Sequence, residues 1–220
     1  MSRPDPQSGP PPSSTPPTSK VVGLLGGIAS GKSAVARFLA GEGGQVLSAD
    51  ELAGDVLAEP RTATWIAHEL GSELLDEGGR PDRDALARRV FDDPGARKKL
   101  EGWIHPAVRE RIVAGLAEAR ARGSTPIVLD IPLLLENEAE HGLTGECDFL
   151  VFIETDAEDR ERRARERRGW PPGEVERRER AQLPLEEKRK RARHVIENRA
   201  GLAELAARVD EILEAEHIPH

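Results

Sequence analysis

Tyrosine is missing from this chain, and cysteine and methionine occur once each. A lone Cys147 cannot close an internal disulfide or build a Cys-rich zinc site, so nothing calls for an oxidising compartment. Aromatic residues make up only 3%, which leaves few rings on which nucleic-acid bases could stack. No apolar run approaches the roughly 20 residues that cross a bilayer. The first residues also lack the apolar stretch of about 7–15 that a secretory signal carries. A cytoplasmic protein without membrane contact is expected.

What is present is a chain of 220 residues, 37% hydrophobic, with a formal charge of −8. That suffices for one substantial core with a smaller lobe. Residues 1–19 stand apart, with seven prolines, five serines and no apolar periodicity. They cannot bury enough surface to offset the entropy of ordering, and a disordered tail is expected. Charge is uneven elsewhere. From Arg160 to Arg193 fourteen Lys/Arg face seven Asp/Glu, a local +7 inside a remainder near −15. Such a strip attracts polyphosphates or nucleic acid. It also reads as an exposed helix laced by i, i+4 pairs, Glu158/Arg162, Asp159/Arg163 and Glu161/Arg165.

Periodicity predicts a strand over 21–25, a glycine loop, and a helix over 33–40 ending at Gly41. A strand over 45–48 leads into a helix reaching about Ala58. Helical patterns then fill 62–70, 82–91, 94–104 and 106–122, with His105-Pro106 as a boundary because the residue before proline resists helix. Strands return over 127–131 and 149–154. An arginine-rich helix from Ala157 is broken by Gly169 and Pro171-Pro172. Val195-Ile196 reads as a last short strand before a helix over 201–215. Buried strands separated by helices predict an α/β fold with a largely parallel sheet, and a helical lobe inserted between the second and third strands.

Gly26-Gly27-Ile28-Ala29-Ser30-Gly31-Lys32-Ser33 fits the phosphate-loop pattern G-x-x-x-x-G-K-[ST]. Glycines let the backbone wrap phosphate oxygens at a helix N-terminus. Lys32 reaches the β/γ-phosphates, and the Ser33 hydroxyl can ligate Mg²⁺. ATP and Mg²⁺ are the implied cofactors. No Asn-Lys-x-Asp guanine-reading motif or Leu-Ser-Gly-Gly-Gln transporter signature is present, so small-molecule kinases lead, with a nucleic-acid-dependent ATPase as the other class. Asp50, just past the second strand, sits where a base for an acceptor hydroxyl would face the phosphates. It equally suits an N-cap. Asp130 ends a buried strand, either as a partner for Mg²⁺ or as a turn residue. His105 is either a helix boundary or a substrate contact.

Taken in order, the phosphate loop, Ser48-Ala49-Asp50, Ile104-His105-Pro106 and Asp130-Ile131-Pro132-Leu133-Leu134-Leu135-Glu136 resemble the motifs of dephospho-CoA kinases. The resemblance continues through Arg163, Arg167, Gln182, Glu187-Lys188 and Val195-Ile196-Glu197-Asn198. It spans about residues 20–215. It implies transfer of the ATP γ-phosphoryl group to the ribose 3′-hydroxyl of dephospho-CoA. It also implies a P-loop kinase three-layer fold: a five-stranded parallel core (20–58, 123–156, 194–220), a CoA-binding lobe (about 59–122) and a helical lid (about 157–193). Carried over by position, Gly27, Ile28, Ala29, Ser30, Gly31, Lys32, Ser33 and Ala34 hold ATP, and Asp50 is the base. Arg163 and Arg167 close over the transferring phosphate from one face of the lid helix. His105, Pro132 and Leu133 meet the acceptor, and Ser33 and Asp130 the metal. A monomer or weak homo-oligomer, without nucleic acid, is implied. Three departures stand out, the first being Leu25 where the family often has threonine. Ala29 replaces a frequent glycine, which requires that it keep negative φ, and Ala192-Arg193 replaces a common Ala-Asp pair.

Overall fold

The computed structural model describes residues 19–199 and 201–219; the expected tail, up to residue 18, lies outside them. The first strand, β1 (Val21–Gly26), runs into the glycine loop and α1 (Lys32–Ala40). Then follow β2 (Gln45–Ser48), α2 (Ala49–Leu57), α3 (Pro60–Glu69), α4 (Arg83–Asp92) and α5 (Pro94–Arg122). After β3 (Ile127–Asp130) come the short α6 (Glu138–His141) and β4 (Phe149–Glu154). The basic strip forms α7 (Ala157–Arg168), α8 (Glu174–Glu179) and α9 (Leu185–Arg191), and the chain closes with β5 (His194–Glu197) and α10 (Leu202–Ala215).

All five strands are parallel, in the order β2-β3-β1-β4-β5. Strand side chains alternate between faces with a period of two, and the core divides accordingly. Val22, Leu24, Val128, Val151 and Ile153 pack under α1 and α10. Val21, Leu25, Ile127, Leu129 and Phe152 pack under α2 and α5. This is a three-layer sandwich. Burying a Val, Leu or Ile in it stabilises the fold by about 1.5–3 kcal/mol. Parallel strands end on one edge, so the loops after β1, β2 and β3 are brought together there.

The lobe between β2 and β3 has its own core of Ile66, Leu70, Leu74, Leu86 and Ala96. Trp65 and Trp103 stack beside it with centroids 5.1 Å apart, and the Trp103 indole donates to Thr62 Oγ1 at 3.1 Å. One expectation fails here. The chain does not break at His105-Pro106, because α5 runs unbroken for 29 residues with Pro106 inside it. A mid-helix proline forfeits a hydrogen bond and costs about 3 kcal/mol. The helix survives because it is anchored at both ends, with Ala96 in the lobe core and Val108, Ile112, Leu116 and Ala119 in the main core.

The basic strip also differs from the expected lacing. Among the described contacts, Arg162 pairs with Asp159 at i, i+3 rather than with Glu158 at i, i+4. On α8, Glu174 takes both Arg177 and Arg178, and Glu176 takes Arg180. Arg163 turns inward instead. Trp170 is no free stacking platform, since Arg168 and Arg178 lie over its ring at 4.9 and 4.2 Å.

Candidate active site

The phosphate loop takes its shape from two glycines and one alanine. Gly26 and Gly31 have φ of 154° and 97°, and an ideal Cβ on Gly26 would lie 2.8 Å from Ser30 Oγ. Ala29 does not keep the negative φ expected of it. At φ 57° it adopts the left-handed region, at a cost of about 1–2 kcal/mol for a residue with a Cβ. The surroundings over-determine the turn. The Ser30 carbonyl accepts from Thr155 Oγ1 at 2.9 Å, Asn198 Nδ2 at 2.7 Å and Arg163 Nη1 at 3.2 Å. Those donors come from the ends of β4 and β5 and from α7, so three elements brace one peptide.

Lys32 opens α1 and turns its Nζ back onto the carbonyls of Gly27 and Gly26, at 2.9 and 3.2 Å. Burial pushes its pKa down to about 8, against the opposing pull of Asp130. A lysine so placed can balance a phosphate charge, and an arriving polyphosphate favours the protonated amine that burial disfavours. Asp130 itself is 7% exposed at the end of β3. Register pairs it with Ser48 on β2, which puts the starts of both following segments beside the loop.

Ser48 also settles one alternative for Asp50. The Ser48 hydroxyl accepts from Glu51 N–H and caps α2, so Asp50 is not the N-cap. Its carboxylate is exposed in the first turn and lines a cavity of about 550 Å³. His105, Pro132 and Leu133 line the same cavity, together with Ile104, Ile112 and Leu143 from apolar walls. At the rim, Arg109 Nε donates to the His141 carbonyl at 2.9 Å, joining α5 to α6. The His141 Nδ1 accepts from Leu143 N–H at 3.0 Å, and burial holds its pKa below the ordinary histidine value.

Of the two lid arginines expected from sequence, only Arg163 meets the loop, donating to the carbonyls of Ser30 and Asn198. Arg167 stays exposed on α7. Sequence reasoning missed Arg160, which is 6% exposed and donates from Nε to the Thr155 carbonyl at 3.1 Å. It also missed Glu179, which pairs with Arg160 and accepts from Ile28 N–H at 2.8 Å. The one available signal was Arg160 standing three residues before Arg163, one turn along the same helix face. Three residues singled out without a role, Glu136, Gln182 and Lys188, prove to be one network. Lys188, 1% exposed, pairs with Glu136 at 2.6 Å and donates to Gln182 Oε1 at 3.1 Å. Glu136 also accepts from Leu183 N–H at 3.2 Å, tying the base of the lid to the segment after β3.

Ser33 and Asp130 offer a hydroxyl and a carboxylate, the hard oxygen donors that suit Mg²⁺, an ion that usually arrives with its waters and a nucleotide. The donor types fit. No described helix is long and apolar enough to cross a membrane.

A parallel sheet that gives its carboxyl edge to a phosphate loop with its half-buried lysine, beside a separate apolar-walled cavity, is the working end of a P-loop kinase. Within that class the chain belongs to the dephospho-CoA kinase family, whose model matches residues 20–204. It is 39% identical over 193 residues to the dephospho-CoA kinase of Symbiobacterium thermophilum, covering 87% of this chain and 79% of that one. Against the Parasynechococcus marenigrum dephospho-CoA kinase it is 42% identical over 190 residues, covering 86% and 92%. Among solved structures, a Thermus thermophilus protein superposes with a TM-score of 0.71 at 39% identity, covering 91% of this chain and 99% of that one. The Campylobacter jejuni dephospho-CoA kinase shares the fold, with a TM-score of 0.65 at 22% identity, covering 90% and 97%.

Proposed function

We propose that this chain transfers the ATP γ-phosphoryl group to the ribose 3′-hydroxyl of dephospho-CoA, making coenzyme A, with Asp50 as the proton acceptor. The observation that carries this reading is positional. The strand order β2-β3-β1 sets Asp50, Asp130 and the phosphate loop side by side on one edge, with Asp50 in the wall of the cavity. An acceptor hydroxyl held in that cavity meets the carboxylate before it meets the phosphates.

The backbone N–H groups of residues 27–34 hold the phosphate oxygens, and Lys32 balances charge as it moves toward the leaving β-phosphate. Asp50 orients the hydroxyl and takes its proton as the bond to phosphorus forms. His105, Pro132 and Leu133 hold the acceptor in the inserted lobe, about residues 59–122. The lid, about residues 157–193, closes with Arg163 and Arg167 and excludes water, so that ATP is not hydrolysed in place of transfer. Ser33 and Asp130 would hold Mg²⁺, which supplies charge neutralisation across the phosphates when bound. The reading places the enzyme in the cytoplasm as a monomer or weak homo-oligomer that needs no nucleic acid.

The test is ADP release with ATP and Mg²⁺, comparing dephospho-CoA with adenosine, AMP and no acceptor. Turnover with dephospho-CoA, and a product heavier by one phosphate, is the expected result. Turnover with adenosine or AMP instead would keep the kinase class and remove this acceptor.

A further inference from the structure

Glu179, at the end of α8, reaches across the site to the phosphate loop. Its Oε1 accepts from Ile28 N–H at 2.8 Å, and the same oxygen pairs with Arg160 Nη1. The contact is close against the backbone. An ideal Cβ on Gly27 would lie 2.6 Å from that oxygen and 2.8 Å from Arg160 Nη1. The carboxylate is largely buried, its side chain 16% exposed, and it adds to the field acting on Lys32. An acceptor oxygen bearing negative charge, held by a loop amide and a guanidinium, meets the same donors that bind a phosphate oxygen.

We propose that Glu179 competes with ATP for Ile28 N–H and Arg160, and that on nucleotide entry Arg160 passes from Glu179 to a phosphate oxygen. The guanidinium is ready for this exchange. Its Nε is fixed on the Thr155 carbonyl, and Thr155 in turn holds the Ser30 carbonyl. Only Nη1 changes partner, so the planar fork trades a carboxylate for a phosphate with little loss of rotamer freedom. Once phosphates occupy the loop, Glu179 faces like charge, and α8 is driven off the loop. The lid is thereby released by the ligand whose terminal group it later covers. A weaker anion that cannot displace the carboxylate is kept out. Arg160 is then a substrate-contacting residue in addition to the Arg163 and Arg167 pair.

The inference rests on the ATP-binding reading of the loop, and calorimetric titration of the full chain with MgATP separates the two. If the wild type fails to bind MgATP, the loop reading fails. If it binds, the variants decide. Glu179→Gln keeps the shape but removes the charge, and should bind MgATP about tenfold tighter. Glu179→Asp keeps the charge but is one methylene short of Ile28, and should also bind tighter. It serves if the glutamine variant is unfolded. Arg160→Lys should bind about tenfold more weakly, and the gain from Glu179→Gln should shrink to about twofold or less in that background. A folded Glu179 variant with wild-type or weaker affinity would overturn the proposal, as would a gain undiminished by Arg160→Lys.

Discussion

The phosphate loop and the cavity beside Asp50 are both built on the carboxyl edge of the sheet, yet they are built by opposite means. The loop is polar and braced: one carbonyl, that of Ser30, takes donors from three separate elements. The cavity has apolar walls from α5 and the segment after β3, with Asp50 and His105 among its polar residues and Arg109, Asn137 and His141 also on its lining. The chemistry of the ligands accounts for the contrast. A polyphosphate offers dense, identical charge that only fixed donors can match. An organic acceptor is held by area and shape, with one group near the reacting oxygen. Rigidity is placed where charge moves, and packing where selection is made.

The contrast can be broken from the cavity side first. Asp50→Asn should cut turnover about 10²–10⁴-fold, the range for losing a general base, while calorimetry shows MgATP binding retained. A loss within about threefold, roughly 0.7 kcal/mol of barrier, would remove Asp50 from that role. Next in size is the brace beneath the lid. Lys188→Met leaves the partly buried Glu136 without its cation, and thermal or urea unfolding should show about 3 kcal/mol of lost stability, the low end for a broken buried pair. A second change, Glu136→Gln, should recover part of that loss.

Asn198→Ala sharpens the comparison from the loop side. It removes one of the donors on the Ser30 carbonyl and should cost about 1–2 kcal/mol. The expected kinetic signature is a raised KM for ATP with the acceptor KM unchanged; equal effects on both would merge the two regions into one unit. The smallest effect is in protons. With Lys32 at a pKa of about 8, the free enzyme loses that charge as pH rises through 8. Phosphates favour the protonated amine and raise its pKa. MgATP binding at pH 9 should therefore take up as much as about one proton, and at pH 6.5 close to none from this group, read by calorimetry in buffers of different ionisation enthalpy.

Much of the fold was legible because its signals are local. Short apolar runs ending at Gly26, Ser48 and Asp130 became β1, β2 and β3 within a residue, and the loop from Gly26 to Ser33 is contiguous. Pro106 misled because a proline rule speaks for one residue and its neighbours. The anchors that carry α5 through it, Ala96 and Ile112, belong to different cores. Ala29 misled for a similar reason, since its φ is set by what the Ser30 peptide must reach. The cavity drew on α2, α5 and the segments after β3, and its members were named mainly through family resemblance. Arg160 carried only its spacing from Arg163, and Glu179 no mark at all, because a charged residue in a basic strip looks the same whether it meets solvent or a loop.

By itself, then, the sequence determined the parallel sheet, the phosphate loop with Lys32 and Ser33, and the carboxylates that follow β2 and β3. These are written in hydrophobic period and in glycine, which act over a few residues. Only the tertiary structure decided that Ser48 rather than Asp50 caps α2, that Arg163 braces the loop while Arg167 stays exposed, and that Lys188 is buried against Glu136. It alone put Glu179 on Ile28, across 151 positions of chain. Long polar side chains choose their partners after the backbone has folded, from whatever charge and unsatisfied hydrogen-bonding groups the packing has brought within reach.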